Sequence, residues 1–523
     1  MLNDMIKAYK VLLLSKCNNS LKKGFFHFNF NNLFHAVLKG FRMLHLIYIN
    51  VMNFCGIYNI AAMCGTRRCL MNCYTKSDYC VFYNSIGKKT IYFNNLNGKI
   101  AVNNVIEDET LISEDSIKEL DVLGFFSNDL NISKFTSTPR ELRFEQLYLI
   151  VSEDCNMRCK YCRQKSNNAI DDMTNEEIKN SIDVFYKVSH NPQSVVFYGG
   201  EPLMNIVGIE FAINYIRSFD TNIKFSIVTN ATLCDRNIAN FLSKHNVDVI
   251  VSMDGAEKLH DKVRLSKEGS GTYQAASDGY HFLKDAGCTI GISCVIGPHN
   301  EKHFDDLISW VVDMQPNSVG FCLPHGDKNN FAMGISFSDV YQKMISAFEK
   351  LLQHQISLIQ VERKLRDVIK GNLNPYECKA CEKRLVACGN GQFGICEGAV
   401  TRKEMFFESL EQLTPIANEY QKTSPFKIKQ CKRCVAFRIC GGGCPYDKIM
   451  RFGRTDVPDI YRCGFIKLIV EYALKYILRN TSHFDNFDGI RLISNKEREF
   501  LLDTLNFTKD GFIPLNFNCE VNI

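Results

Sequence analysis

The chain has 523 residues, is 46% hydrophobic and 23% charged, and carries 62 Lys+Arg against 57 Asp+Glu for a formal charge of +5. At roughly 100–200 residues per domain this is a globular protein of two to four domains. With 32 Gly and 12 Pro it is not collagen-like, and its apolar content excludes wholesale disorder. So small a net charge on this length argues for no nucleic-acid partner. The 23 Cys are the informative excess. Their number is odd, the chain is large and no secretion signal stands out, so a cytoplasmic, thiolate-using protein is expected in place of a disulfide framework.

Residues 1–77 hold ten Lys/Arg and one acid, Asp4. The apolar run 11–14 is too short for a signal-peptide core, and His45, Asn50, Asn53 and Asn59 interrupt 44–63. A basic extension without stable membrane insertion is therefore expected. The gaps between Cys64, Cys69, Cys73 and Cys80 match no ligand pattern. Over residues 78–140, short runs at 81–83, 90–93 and 100–102, an Asn97-Gly98 turn and a helical stretch at 114–124 predict a small α+β module.

Between residues 141 and 355, strand-like runs alternate with amphipathic stretches six times. The predicted strands are 146–151, 194–197, 223–228, 248–253, 289–296 and 318–322. The predicted helices are 175–189, 205–219, 234–245, 273–286, 301–314 and 338–352. Thr174 ahead of Glu176 and Glu177 is a helix N-cap with acids in the first turn. Such βα units predict a parallel sheet with right-handed crossovers, as an open barrel or a doubly wound sheet, and chemistry at the C-terminal ends of its strands. Those ends carry Cys155, Cys159 and Cys162, then Tyr198-Gly199-Gly200-Glu201-Pro202, then Thr229-Asn230, then Asp254-Gly255 with Arg264 beyond.

Gaps of three and two residues let the three thiolates converge on one point. Three thiolates can hold three irons of a [4Fe–4S] cluster and leave the fourth open, whereas structural zinc wants a closed shell and this loop has no fourth Cys or His. With Gly199-Gly200-Glu201 at the next strand end, the loop resembles that of the radical S-adenosylmethionine (SAM) superfamily. The resemblance implies a partial (β/α)6 barrel, a [4Fe–4S] cluster on Cys155, Cys159 and Cys162, S-adenosylmethionine on the open iron, and its one-electron cleavage to a 5′-deoxyadenosyl radical. It further implies that Gly199, Gly200 and Glu201 contact the methionine amino group. Asn230, Ser252 and Arg264 stand where ribose and carboxylate contacts arise, and a guanidinium suits a carboxylate.

Beyond residue 355 the βα rhythm stops and cysteines return. Cys431, Cys434, Cys440 and Cys444, followed by Cys463 and preceded by Cys381, Gly391 and Cys396, resemble the SPASM motif of peptide-modifying radical enzymes. Asn390-Gly391 predicts a hairpin with arms at 385–388 and 393–396. The resemblance implies two auxiliary [4Fe–4S] clusters. One would sit on Cys431, Cys434, Cys440 and Cys463, the other on Cys381, Cys396 and Cys444 with Cys378 preferred to Cys388 as its fourth ligand. A zinc ribbon stays open as another use of the paired cysteines. The fold class expected is thus α/β: a partial radical SAM barrel (141–355), the small N-terminal α+β module (78–140) and a C-terminal iron–sulfur SPASM domain (356–480). Residues 481–523 show no motif and read as a tail.

By the same resemblance the chain is a radical enzyme that matures a ribosomally made, Cys-rich precursor peptide by forming thioether crosslinks. Residues 78–140 would recognise the leader peptide, and a flavodoxin or ferredoxin would supply electrons. Anaerobic sulfatase maturases, which make formylglycine, are an alternative; they carry Asp as a base where this chain has Glu397 after Cys396. Glu397 is accordingly a candidate catalytic residue, and more simply a solvated loop acid. A non-catalytic, zinc-stabilised binding protein is the third reading. Cys234, Cys288, Cys294 and Cys322 read as core residues, and His299 and His325 as solvated histidines at strand ends.

Overall fold

The computed structural model describes residues 71–75, 80–86, 89–104, 112–126, 133–136, 140–162, 172–323, 335–481 and 489–505. The expectations for residues 1–70, with Cys64 and Cys69, and for His325 lie outside these.

Four antiparallel strands open the described chain: β1 (Asn72–Thr75), β2 (Cys80–Ile86), β3 (Lys89–Asn94) and β4 (Ile100–Asn103). Their alternation splits them between two cores. Val81, Tyr83, Tyr92 and Ala101 pack with Leu120 of helix α1 (Glu114–Val122), whereas Phe82, Ile91, Phe93, Ile100 and Val102 join the main core.

That core surrounds a parallel sheet. Strands β5 (Gln146–Ser152), β6 (Ser194–Gly199), β7 (Lys224–Thr229), β8 (Val247–Ser252), β9 (Ile290–Val295) and β10 (Ser318–Cys322) are neighbours in chain order, every pair parallel. Helices α2 (Asn175–Val188), α3 (Ile206–Arg217), α4 (Arg236–Lys244), α5 (Tyr273–Asp285), α6 (Phe304–Met314) and α7 (Phe337–Gln353) follow the strands as the periodicity predicts. Thr174 and Glu177 close a capping box on α2. Every residue of β5 is buried, as expected for a strand covered on both faces.

The sheet continues past the point where the βα rhythm stops. After β11 (Ser357–Leu358) comes helix α8 (Ile359–Lys370), then β12 (Arg384–Cys388) and β13 (Gln392–Gly394). β11 adds in parallel to β10, β12 in parallel to β5, and β13 folds back on β12, giving nine strands in the order β11-β10-β9-β8-β7-β6-β5-β12-β13. The cysteine-rich region therefore begins inside the sheet. Its hairpin turns through the three residues Gly389, Asn390 and Gly391, the last two left-handed at φ 62° and 67°.

Helices α9 (Leu413–Gln421), α10 (Pro445–Phe452) and α11 (Ile460–Asn480) complete this region, and α11 lies against α7 and α8 through Ile469, Val470, Ala473 and Ile477. Past them the chain forms β14 (Ile490–Leu492) and α12 (Asn495–Asp503). β14 pairs antiparallel with β4, Arg491 opposite Val102, so the segment read as a tail supplies the fifth strand of the N-terminal sheet. Three residues are too few for a periodic signal. The same sheet is fastened to the cysteine region: the Asn95 amide donates to the carbonyls of Lys432 (3.1 Å) and Cys434 (2.8 Å), and Arg438 to those of Leu96 (2.7 Å) and Gly371 (2.9 Å). Among the described residues no helix is long and apolar enough to cross a membrane.

Truncation after Thr481 should strip β14 from β4. Amide exchange in Ile100–Asn103 is expected to accelerate ahead of β3 and the thermal midpoint to fall; unchanged exchange there would disprove this role for β14.

Candidate active site

β5 runs straight into the first cysteine loop, which the segment after β8 holds from the other side. The Arg158 N–H donates to the Leu265 carbonyl (2.7 Å) and the Lys160 N–H to that of Val263 (2.9 Å). Asp154 accepts the Cys155 N–H (2.7 Å) and the Lys267 ammonium (2.8 Å), and the Lys267 bond keeps its carboxyl below the usual range. Cys159 is buried and Cys155 and Cys162 half-buried, in one apolar cluster with Met157, Tyr161, Val263, Val295 and Cys322. The Met157 N–H (3.4 Å) and the Asn230 amide (3.9 Å) point at the Cys155 Sγ. Burial pushes the Cys155 and Cys159 thiols up to about 12, with Glu201 adding at Cys155 and Arg264 opposing at Cys159. Each also feels the Cys162 thiol. Thiols so placed surrender their protons together only to a metal centre that neutralises them.

The end of β6 closes on this loop without room for side chains. The Gly200 N–H donates to the Ser152 carbonyl (2.9 Å) and the Glu201 N–H to that of Asp154 (2.8 Å). A Cβ on Gly199 would overlap the Ser152 carbonyl, and one on Gly200 that of Asp154. Glu201 is turned the other way. Its Oε1 accepts the Leu203 N–H (3.0 Å) and the Thr229 hydroxyl (2.6 Å), and its Oε2 the Asn230 N–H (2.7 Å), which ties the ends of β6 and β7 together. Burial lifts this carboxyl to about 7. Asn230 in turn donates to Asn156 (3.0 Å) and accepts the Thr232 N–H (2.9 Å). Ser252 is buried at the end of β8, in register with Ser293.

Arg264, expected to meet a ligand carboxylate, already has one from the chain. Its Nε and Nη2 lie 3.1 and 3.2 Å from Asp254, both residues fully buried. Asp254 also accepts the Tyr161 hydroxyl and the Val295 N–H (2.8 Å), and His299 Nε2 lies 3.6 Å away with its ring stacked on Tyr161. Burial by itself would raise the Asp254 carboxyl, but Arg264, then His299 and His260, hold it well below the usual carboxylate range. Burial, then Arg264, pushes His260 down to about 3. His299 is thus buried, not a solvated histidine, and Asp254 is the hub that joins it to the cysteine loop. The Asp254-Gly255 pair at a strand end was the available signal; its partners come from separate strand ends.

Glu397 is likewise no solvated acid. It is 1% exposed and ion-paired with Arg384 of β12, whose guanidinium lies 4.6 Å from the ring centre of Tyr148 on β5. The pair is a neighbour of Tyr198, whose phenol is raised by burial first and Glu397 next. The carboxylate is committed to a buried guanidinium, so this geometry favours a role in holding Arg384.

The later cysteines fall into two groups. Cys396, Cys444 and Cys378 surround the buried hydroxyl of Tyr420, whose phenol burial and then these three thiols hold well above its ordinary value, and the Cys381 thiol donates to the Tyr420 carbonyl (3.7 Å). Cys431, Cys434, Cys440 and Cys463 gather separately: burial and then Cys440, Cys434 and Cys431 raise the Cys463 thiol. Cys444 belongs to the first group although it lies between members of the second in the chain. Cys378 stands with the first group. Cys388 at the end of β12 does not, since after burial only Glu153 and Lys403 act on it. N–H donors reach sulfur at Cys378 from Ala380 and at Cys444 from Asp447, each at 3.4 Å. Gly442 makes the chain crossing between the groups possible, its hydrogen lying where a Cβ would overlap the Thr423 carbonyl. Among the described residues no three His, Cys, Asp or Glu side chains are arranged to hold a single metal ion. Donor sets made of thiols alone, buried or half-buried and met by N–H groups at Cys155, Cys378 and Cys444, fit iron–sulfur clusters, which spread their ligands over separate irons.

Residues 149–311 match the family model described as the radical SAM superfamily. The chain is 24% identical over 368 residues to the radical SAM cyclopropyl synthase TigE of Paramaledivibacter caminithermalis, covering 64% of this chain and 74% of that protein. It is 25% identical to the cysteine-type anaerobic sulfatase-maturating enzyme of Clostridium novyi over 61% of this chain and 92% of the other. A solved structure of native anSMEcpe with bound AdoMet and Kp18Cys peptide superposes with a TM-score of 0.55 at 21% identity, over 65% of this chain and 99% of that one.

Gly200→Ala should push the cysteine loop off β6. In metal-free protein the alkylation rate of Cys159 is expected to rise while that of Cys294, buried in the core, stays unchanged. For Glu201 the raised carboxyl means that protonation favours the folded state. That contribution is complete below the ordinary glutamate range and is lost as pH rises through about 7. Glu201→Gln should flatten the decline in urea stability between about pH 5 and 8, a loss of roughly 3 kcal/mol in the parent protein.

Proposed function

We propose, from the premise that residues 149–311 form a radical SAM domain, that this chain modifies a side chain of a ribosomally made, Cys-rich peptide, joining a substrate thiol to carbon as a thioether. The cofactors would be three [4Fe–4S] clusters and S-adenosylmethionine, which together supply a 5′-deoxyadenosyl radical and a place for the electron released later. Cys155, Cys159 and Cys162 would hold the first cluster, and the bare backbone of Gly199 and Gly200 lets the end of β6 seat the loop that carries them. Asp254 keeps Tyr161, Arg264 and His299 rigid under the loop, so the walls stay fixed while a reactive species is present. Asn230, whose amide points at the Cys155 sulfur, would orient the ligand's polar end.

The observation that carries the reading is that Cys431, Cys434, Cys440 and Cys463 gather in one set while Cys378, Cys396 and Cys444 stand together at Tyr420, with Cys444 lying between members of the other set in the chain. The set of Cys431, Cys434, Cys440 and Cys463 would be complete without a substrate atom. This favours electron acceptance over capture of the substrate sulfur, and the thiol and acceptor carbon would then both come from the peptide. The peptide partner is supported by the neighbour solved with Kp18Cys peptide, and residues 78–140 with β14 would seat its leader. A flavodoxin or ferredoxin would reduce the first cluster. A second reading, oxidation of a protein Cys or Ser to formylglycine, is favoured by the relative named a sulfatase-maturating enzyme; the Arg384–Glu397 pair weighs against it because the base is engaged.

Anaerobically reconstituted protein with dithionite should form 5′-deoxyadenosine from S-adenosylmethionine, and a Cys155/Cys159/Cys162→Ala variant should form none. With a Cys-rich precursor, mass spectrometry should find loss of two hydrogens together with one alkylatable thiol. Hydrogen loss with every thiol retained would indicate another crosslink, and no 5′-deoxyadenosine from iron-loaded protein would sink the radical reading.

A further inference from the structure

One buried cation beside the second cysteine group has no role in the steps above. Lys448 lies in α10, four residues after Cys444, and is 0% exposed. Its ammonium donates to the Thr423 hydroxyl (2.6 Å), the Thr455 carbonyl (3.2 Å) and the Thr423 carbonyl (3.5 Å). Three acceptors for three N–H bonds describe a protonated amine. Among the described residues it forms no ion pair, whereas Lys364, the other buried lysine nearby, is paired with Glu377 and lies 3.8 Å from Asp367. Asp459, which faces the same cavity, already caps α11 through the N–H groups of Tyr461 (3.2 Å) and Arg462 (3.3 Å) and has the Arg462 guanidinium at 3.9 Å.

What Lys448 does face is sulfur. It lines one cavity with Cys431, Cys440 and Cys463, and after Asp459 these three thiols are the groups that act on its charge. An ammonium withdrawn from water needs anionic charge beside it; Asp459 is shared with Arg462 and the cap of α11, and four thiolates around iron and sulfide are a net anion.

We propose that Lys448 is the counter-cation of an iron–sulfur cluster held by Cys431, Cys434, Cys440 and Cys463, and that it raises the reduction potential of that cluster. The inference rests on the SPASM reading given above. A cluster that accepts an electron gains one negative charge, and a fixed cation in a low-dielectric cavity stabilises the reduced form more than the oxidised one. Lys448 would therefore be a positioning residue for charge, acting through the cluster and never touching the substrate. It would bias electron flow toward this end of the chain.

The test uses full-length protein reconstituted anaerobically in the Cys155/Cys159/Cys162→Ala background, so that the signals of the auxiliary clusters stand alone. Iron and sulfide content and a redox titration followed by electron paramagnetic resonance are compared for Lys448 and Lys448→Met. The expected result is unchanged iron and one cluster whose reduced-to-oxidised ratio at a given poise falls about tenfold, equivalent to about 59 mV for a one-electron couple. Metal-free Lys448→Met is expected to melt no lower than metal-free parent, since the substitution removes a buried charge that forms no ion pair among the described residues. If the methionine variant does not fold, Lys448→Gln keeps polar contact with Thr423 and gives the same comparison without the charge. Unchanged potentials at unchanged iron content would overturn the proposal. Iron content unaffected by Cys431→Ser and Cys440→Ser would overturn the cluster reading beneath it.

Discussion

The architecture depends on how β5 and β6 end. β5 is a wholly buried strand with parallel partners on both sides, and its last residue opens the loop that carries three thiols. For that loop to be held in one place, the end of β6 must pass it at backbone distance. Gly199 and Gly200 allow this, and the Glu201 carboxylate then locks the crossing to β7. A side chain at either glycine would force the loop outward, and the thiols, Asn230 and the Asp254 network would no longer face one another.

Around that seam the protein buries charge in compensated sets. Asp254 with Arg264, and Arg384 with Glu397, are ion pairs closed by the chain itself, and each also packs against a tyrosine of the barrel strands or the cysteine loop. Low dielectric makes these pairs strong and makes the loss of one partner damaging. Lys448 stands apart because it forms no ion pair among the described residues and, beside the shared Asp459, faces thiols, whose charge exists only when they are deprotonated.

Much of this was legible in residue order. Six strands and six helices follow from apolar periodicity because parallel strands are buried on both faces and their covering helices on one. Asn390-Gly391 announced its hairpin because few residues other than Gly and Asn tolerate two successive left-handed conformations. The pairing of β14 with β4 was not legible, since three residues far along the chain carry no period, nor was the continuation of the sheet through β11 and β12. His299 and Glu397 were misjudged for one shared reason: a polar residue in a loop reads as solvated until its partner's position is known.

The sequence by itself determined the strand and helix order, the cysteine loop at a strand end, and the two glycines that let β6 approach it. These are local properties, fixed by hydrophobic period, by turn chemistry and by which residues lack a side chain. Tertiary structure alone decided which thiols stand together. Cys378 and Cys444 meet at Tyr420 and Cys388 turns toward Glu153 and Lys403, because contacts between distant segments depend on the packing of every element between them. It also decided that the carboxylate for Arg264 is Asp254. Burial forces each charge to find its counter-charge, and the chain supplies that partner from whichever strand end folding brings within reach.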